Sequence, residues 1–132
     1  MGSRNPILRP VRYVGDPFTG RVTVEPLKRG GERRLLLLRH ELRNHARTFS
    51  WGYRGEGPAQ LALAILADAI GNDQRAVRLY QLFKNEVIAG LQPEQPWSLS
   101  HYAVVAWVRQ AERALSPAPA SAVRQQQARL GR

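Results

Sequence analysis

The 132-residue chain has no cysteine, which removes disulfide frameworks, thiolate nucleophiles, zinc ribbons and iron–sulfur clusters together and fits a reducing compartment. It also has no long apolar run. The longest, Leu61 to Ala67, is far short of the ~20 residues that span a bilayer, and Met1 to Pro10 holds no apolar signal core. A cytoplasmic protein with no membrane partner is expected. Histidine is scarce: only His40, His45 and His101 occur, and His40 and His45 in an irregular segment match no metal-ligand spacing. Acid is in short supply as well, with 10 Asp and Glu scattered along the chain. This inventory points away from an enzyme, and no catalytic residue, metal or cofactor is expected.

The composition that remains is that of an ordinary soluble domain, with 43% apolar, 8% aromatic and 23% charged residues. The length suits one domain of about 100–150 residues. Twenty basic residues against 10 acidic ones give a net charge of +10, and eighteen of the twenty are arginine. Residues 1–56 carry 12 basic and 5 acidic side chains, and residues 57–132 carry 8 and 5, so the N-terminal half is the electropositive one. Arginine enrichment alongside Ala, Leu and Gly is also the profile expected where GC-rich codons shape a proteome, so charge alone names a partner class and not a reaction.

Alternation of apolar and polar residues at 8–14 and 20–26, around Asp16, Pro17 and Gly20, predicts a β-hairpin. A turn at Arg29-Gly30-Gly31 leads to a third strand at 33–39, whose run Leu35-Leu36-Leu37-Leu38 implies cover on both faces. That run is also where a homodimer would bury a strand. Phe49-Ser50-Trp51 reads as a short addition to the sheet edge. From Pro58 the period becomes helical: 58–70 is apolar around most of its circumference, and 73–89 carries Ala76, Tyr80, Phe83 and Val87. Ser100 caps a third helix at 101–115, striped by Val104, Trp107, Val108, Ala111 and Leu115. The expected fold is α+β: one domain over 1–115, an antiparallel three-stranded meander packed on three helices. A flexible basic tail over 116–132, rich in Pro, Ala, Gln and Arg, is expected to follow.

Phe49-Ser50-Trp51-Gly52-Tyr53-Arg54-Gly55-Glu56-Gly57-Pro58 is the most distinctive segment. Free amides at a helix start, glycines that allow close approach and Arg54 could hold an anion or nucleotide, although the spacing is neither a P-loop nor a dinucleotide fingerprint. The plainer reading is a tight turn with Trp51 packed on the sheet. Continued through Gln60-Leu61-Ala62-Leu63-Ala64-Ile65-Leu66, the segment resembles an uncharacterised family of small proteins from bacteria, archaea and mobile elements, with a WGYxGxGPAQLALAIL core. Ala76, Tyr80, Phe83-Lys84, Val87 and Trp97-Ser98-Leu99-Ser100 extend the likeness. The resemblance brings no activity with it. Arg54 and Asn85 depart from its pattern.

Two further constellations remain. The helices at 58–70 and 73–89 could form a helix-turn-helix with Gln74, Arg78, Gln81 and Asn85 facing a major groove, or a plain hairpin with a solvated face. Asp68, an acid on an apolar helix, needs a partner, which a strand arginine would supply. The leading functional expectation is a non-enzymatic accessory protein that contacts nucleic-acid phosphates through Arg9, Arg12, Arg21, Arg29, Arg33, Arg34 and Arg54, without sequence readout. Tyr13, Phe18, Trp51 and Tyr53 would offer stacking surfaces. The alternative is an adaptor or inhibitor that binds an acidic protein surface through Trp51, Gly52, Tyr53, Arg54, Gly55 and Gly57. A nucleotide or anion site in that glycine loop comes third.

Overall fold

The computed structural model describes residues 8–116. The tail expected over 116–132 lies outside them apart from Ser116. The architecture is α+β, a four-stranded antiparallel sheet with three helices. Strands β1 (Val11–Gly15) and β2 (Val22–Pro26) form the predicted hairpin. Its turn is closed by the Gly20 amide on the Asp16 carbonyl at 2.8 Å, and Asp16 Oδ1 accepts the Phe18 amide at 2.9 Å. An Asp that bonds its own backbone two residues on is a local turn former, which is why Asp16 stands there.

Three expectations about the sheet require correction. The third strand is only β3 (Arg34–Leu35), and the leucine run is not covered on both faces. Leu36 is buried, whereas Leu35 and Leu37 are 57% and 67% exposed. The run therefore alternates as an edge strand does, one residue in and the next out. The sheet also has a fourth strand, β4 (Trp97–Ser100), giving the order β3-β2-β1-β4. It occupies the free side of β1, with Tyr13 opposite Leu99 and Gly15 opposite Trp97. Phe49-Ser50-Trp51 adds no strand; Phe49 and Trp51 turn into the core instead.

The helices are α1 (Glu56–Ile70), α2 (Asp73–Glu86) and α3 (His101–Leu115), with a short 3₁₀ turn at Ile88–Gly90 where the second helix was expected to run on to 89. Helix α1 begins two residues earlier than Pro58, and twelve of its 15 residues are buried. A helix apolar on all sides must be enclosed, and α1 is the centre about which the sheet's inner residues Tyr13, Val22 and Val24 and the faces of α2 and α3 form one core. Gly71 ends it in the left-handed conformation, donating to the Ala67 carbonyl at 3.1 Å. Asn72 and Ser100 cap α2 and α3 by accepting the amides of Arg75 and Ala103. Helices α1 and α2 pack along their length as a hairpin, with Ala76, Leu79, Tyr80 and Phe83 turned inward. Glu112 clamps α3 to the start of α2 by accepting from Arg75 Nη2 at 2.6 Å and Nε at 2.8 Å. No helix among the described residues is long and apolar enough to cross a membrane.

Candidate nucleic-acid interface

The register of the sheet decides what each arginine can do. Tyr13, Val24 and Arg34 lie in one row across the inner face, while Arg12 and Glu25 are paired on the outer face. Arg34 at the sheet edge reaches Asp68 on α1 at 2.7 Å, and Arg9 meets the same carboxylate at 3.0 Å and the Asp68 carbonyl at 2.7 Å. The Tyr13 hydroxyl donates to Asp68 at 2.7 Å. Asp68 therefore has two strand-side arginines where one partner was expected. Burial pushes its carboxyl up, but the hydrogen bonds from Arg34, Tyr13 and Arg9 outweigh that and hold it below the usual range. Burial, joined by the charge of Asp68, pushes the Tyr13 phenol up.

Arg12 and Arg33 flank Glu25 on the outer face, each at 3.7 Å. Of the seven arginines expected to contact phosphates, four thus face acids, while Arg21, Arg29 and Arg54 are exposed with no acid within 4 Å among the described residues. Three further cations share this freedom in the same half of the chain: Lys28, in the basic cluster at the second turn, and Arg43 and Arg47, which carry no sequence signal.

Arg21 and Arg47 come together. They line a crevice of about 280 Å³ between the β1–β2 turn, the β3 edge and the segment entering Phe49. Thr19 and Thr48 contribute hydroxyls, Leu35, Leu38 and Phe49 contribute apolar wall, and no acid lines it. The Phe18 ring stands at the tip of the adjoining turn, 94% exposed. Of the four aromatics expected to offer stacking surfaces, Phe18 and Tyr53 are exposed, whereas Tyr13 and Trp51 are core residues.

Arg47 owes its place to Gln60, a wholly buried carboxamide on α1. Its Oε1 accepts the amides of His45 at 2.7 Å and Ala46 at 3.2 Å, and its Nε2 donates to the carbonyls of Leu38 and Arg43 at 2.6 and 3.0 Å. An irregular segment with no sheet or helix partner needs such a donor and acceptor set to satisfy its backbone. His40 and His45 serve the same segment: His40 Nε2 bonds the Ala46 carbonyl at 2.7 Å, and His45 bridges Glu56 at 2.6 Å and the Tyr80 hydroxyl at 2.8 Å.

In the glycine loop the space beside each glycine is occupied by the protein itself. Gly52 has φ +89° and packs on the Leu91 carbonyl and Pro93, Gly55 lies against the Tyr53 ring, and Gly57 lies against Ser50. Only glycine fits the Gly52 position, because positive φ and the close neighbours both exclude a side chain. Trp51 is 4% exposed and meets Trp97 edge to face at 5.5 Å. The outward part of the loop is Tyr53 and Arg54.

A second concavity, about 470 Å³, runs along α3 past Leu8, Tyr102, Arg109 and Arg113. It gave no sequence signal beyond the polar positions of the helix.

No curated protein and no solved structure matches the chain. A family model does, over residues 13–110, a span that includes the sheet except the first two residues of β1, all of α1 and α2 and the first ten residues of α3. The chain belongs to the family of unknown function DUF6166.

Proposed function

We propose that this is a non-enzymatic accessory protein that associates with nucleic acid through cation–phosphate contacts and without sequence readout. The observation that carries the reading is the set of six exposed cations between Arg21 and Arg54 that have no acid within 4 Å among the described residues: Arg21, Lys28, Arg29, Arg43, Arg47 and Arg54. Arg9 and Arg34, spent on Asp68, are positioning residues in this reading, and Arg12 and Arg33 contribute weakly beside Glu25. If all six free cations engaged a duplex, log K would fall with log salt at a slope of about −5, at ~0.9 per phosphate neutralised. A cytoplasmic setting goes with this reading.

Fluorescence anisotropy with labelled single-stranded DNA, duplex DNA and RNA, titrated across salt, tests it. Saturable binding that persists at ~150 mM salt and weakens linearly in the logarithm of salt supports the reading. Binding seen at low salt alone overturns it.

The second reading is a protein-binding adaptor for an acidic surface. It is favoured by the bare Leu35 and Leu37 on the sheet edge, which phosphate contact does not require. With Trp51 in the core, Tyr53, Arg54 and this edge form its surface. A shallow salt slope together with loss on Tyr53→Ala would select it.

A further inference from the structure

We propose that the Arg21–Arg47 crevice receives one unpaired nucleotide of a single strand, its phosphate between the two guanidinium groups and its base stacked on Phe18. The inference rests on the nucleic-acid reading and narrows its substrate class.

The crevice holds about 280 Å³, just under the ~300–1,000 Å³ of pockets that enclose a small molecule. A site of that size accepts part of a longer ligand. Its wall is chemically divided: Arg21, Arg47, Thr19 and Thr48 suit phosphate and sugar oxygens, whereas Leu35 and Leu38 suit the faces of a sugar or base. An inorganic anion would use the first half and leave the second wet.

Phe18 supplies the discrimination. A ring 94% exposed at a turn tip adds nothing to the core; Phe18 does not itself line the crevice but directly precedes Thr19, which does. Aromatic side chains bind nucleic acid by stacking on bases, and in a duplex those faces are already covered by neighbouring base pairs. Asp16, two residues before Phe18, is engaged in the turn itself: its Oδ1 accepts the Phe18 amide and its carbonyl accepts the Gly20 amide. The exposed polar row of α2, Gln74, Arg78, Gln81 and Asn85, plays no part in this mode, which needs no groove.

The experiment is anisotropy of labelled oligo(dT) and oligo(rU) of ~15 nucleotides and of a duplex of matched length, with wild type, Phe18→Ala, Phe18→Trp and Arg47→Ala. The expected result is preference for the single strands, a loss of about fivefold to a hundredfold on Phe18→Ala from one lost stack, and recovery with Phe18→Trp. Arg47→Ala should lower the single-strand salt slope by about 0.7, one phosphate contact. Because Phe18 and Arg47 are exposed, these variants keep the wild-type melting temperature, which is measured alongside. Equal affinity for duplex, or no effect of Phe18→Ala, overturns the nucleotide site while leaving the broader reading standing. No binding to any of the three probes at ~150 mM salt overturns both, and shifts the cationic half to an acidic protein partner.

Discussion

The Gln60 carboxamide, buried on α1, donates to the Leu38 carbonyl 2.6 Å away and so ties the chain leaving the leucine run to the central helix. Three more bonds, to Arg43, His45 and Ala46, complete its capacity. Gln60→Leu keeps the volume and removes all four. It is expected to cost about 2–4 kcal/mol, because the freed backbone groups are partly inside the fold. Urea unfolding measures this, and a loss below about 0.5 kcal/mol would contradict it. The same variant should weaken single-strand binding without changing net charge, since Arg47 follows directly on the anchored segment.

Asp68 is the second knot. Asp68→Asn removes the negative charge and turns one of the two oxygens shared by Arg9, Arg34 and Tyr13 into a donor, and is expected to destabilise by about 2–4 kcal/mol, somewhat under the ~3–5 of a fully buried pair because both arginines reach water. Tyr13→Phe removes one donor to the carboxylate and a longer bond, at 3.3 Å, accepted from Arg9, leaves the ion pairs in place, and should cost about 1.5 kcal/mol. A reversed order of the two in denaturant unfolding would show that the network is not centred on the carboxylate.

His101 makes stability depend on pH. Its Nδ1 accepts the Arg9 amide at 3.1 Å and its Nε2 donates to the Ala69 carbonyl at 3.0 Å, which fixes the neutral tautomer. Burial depresses its pKa below the ordinary 6.5, and the bond to Ala69 offsets that only in part. The unfolded chain thus takes up the proton first. Stability from the neutral ring is complete above pH 6.5 and is lost as the pH falls below 6.5 toward the depressed folded value. Asp68 acts in the same direction at lower pH, its contribution present above about 3.8 and lost beneath it. Melting curves through the weakly acidic range should show a decline for wild type that is flatter in His101→Gln; parallel curves would assign the decline to other groups.

Leu37 is bare, so Leu37→Lys should leave stability within about 0.5 kcal/mol of wild type. By placing a charge on the β3 edge it should reduce concentration-dependent light scattering. Unchanged scattering would show that the edge is not where copies of the chain meet.

Much of this fold is written in short-range signals. Ser100 with its stripe, the Asp16–Gly20 turn, and an apolar helix that has to be enclosed are all legible locally, and so is the need of Asp68 for a strand arginine. Strand β4 is not, because four residues wedged between a proline-rich turn and a helix cap show no period of their own; their strand character comes from β1. The leucine run misleads for a related reason: four identical residues cannot show which of them faces water. At the site, arginine spacing does not reveal which side chains already face acids, so Arg9, Arg12, Arg33 and Arg34 look as available as Arg21. Arg47 joins Arg21 only through the path that Gln60 imposes, a contact no local pattern contains.

The place of β4 beside β1 sets the order in which the molecule can assemble. The Arg12–Ser100 pairing closes a loop of almost the whole domain, at a cost of about 4 kcal/mol in chain entropy, whereas the β1–β2 hairpin closes locally. During synthesis the hairpin and α1 emerge well before the strand that completes the sheet, and α1 has no exposed face on which to wait. Commitment to the native state therefore comes late, when Trp97 to Ser100 arrive, and fragments ending before Trp97 leave Tyr13 and the central helix open to wrong partners.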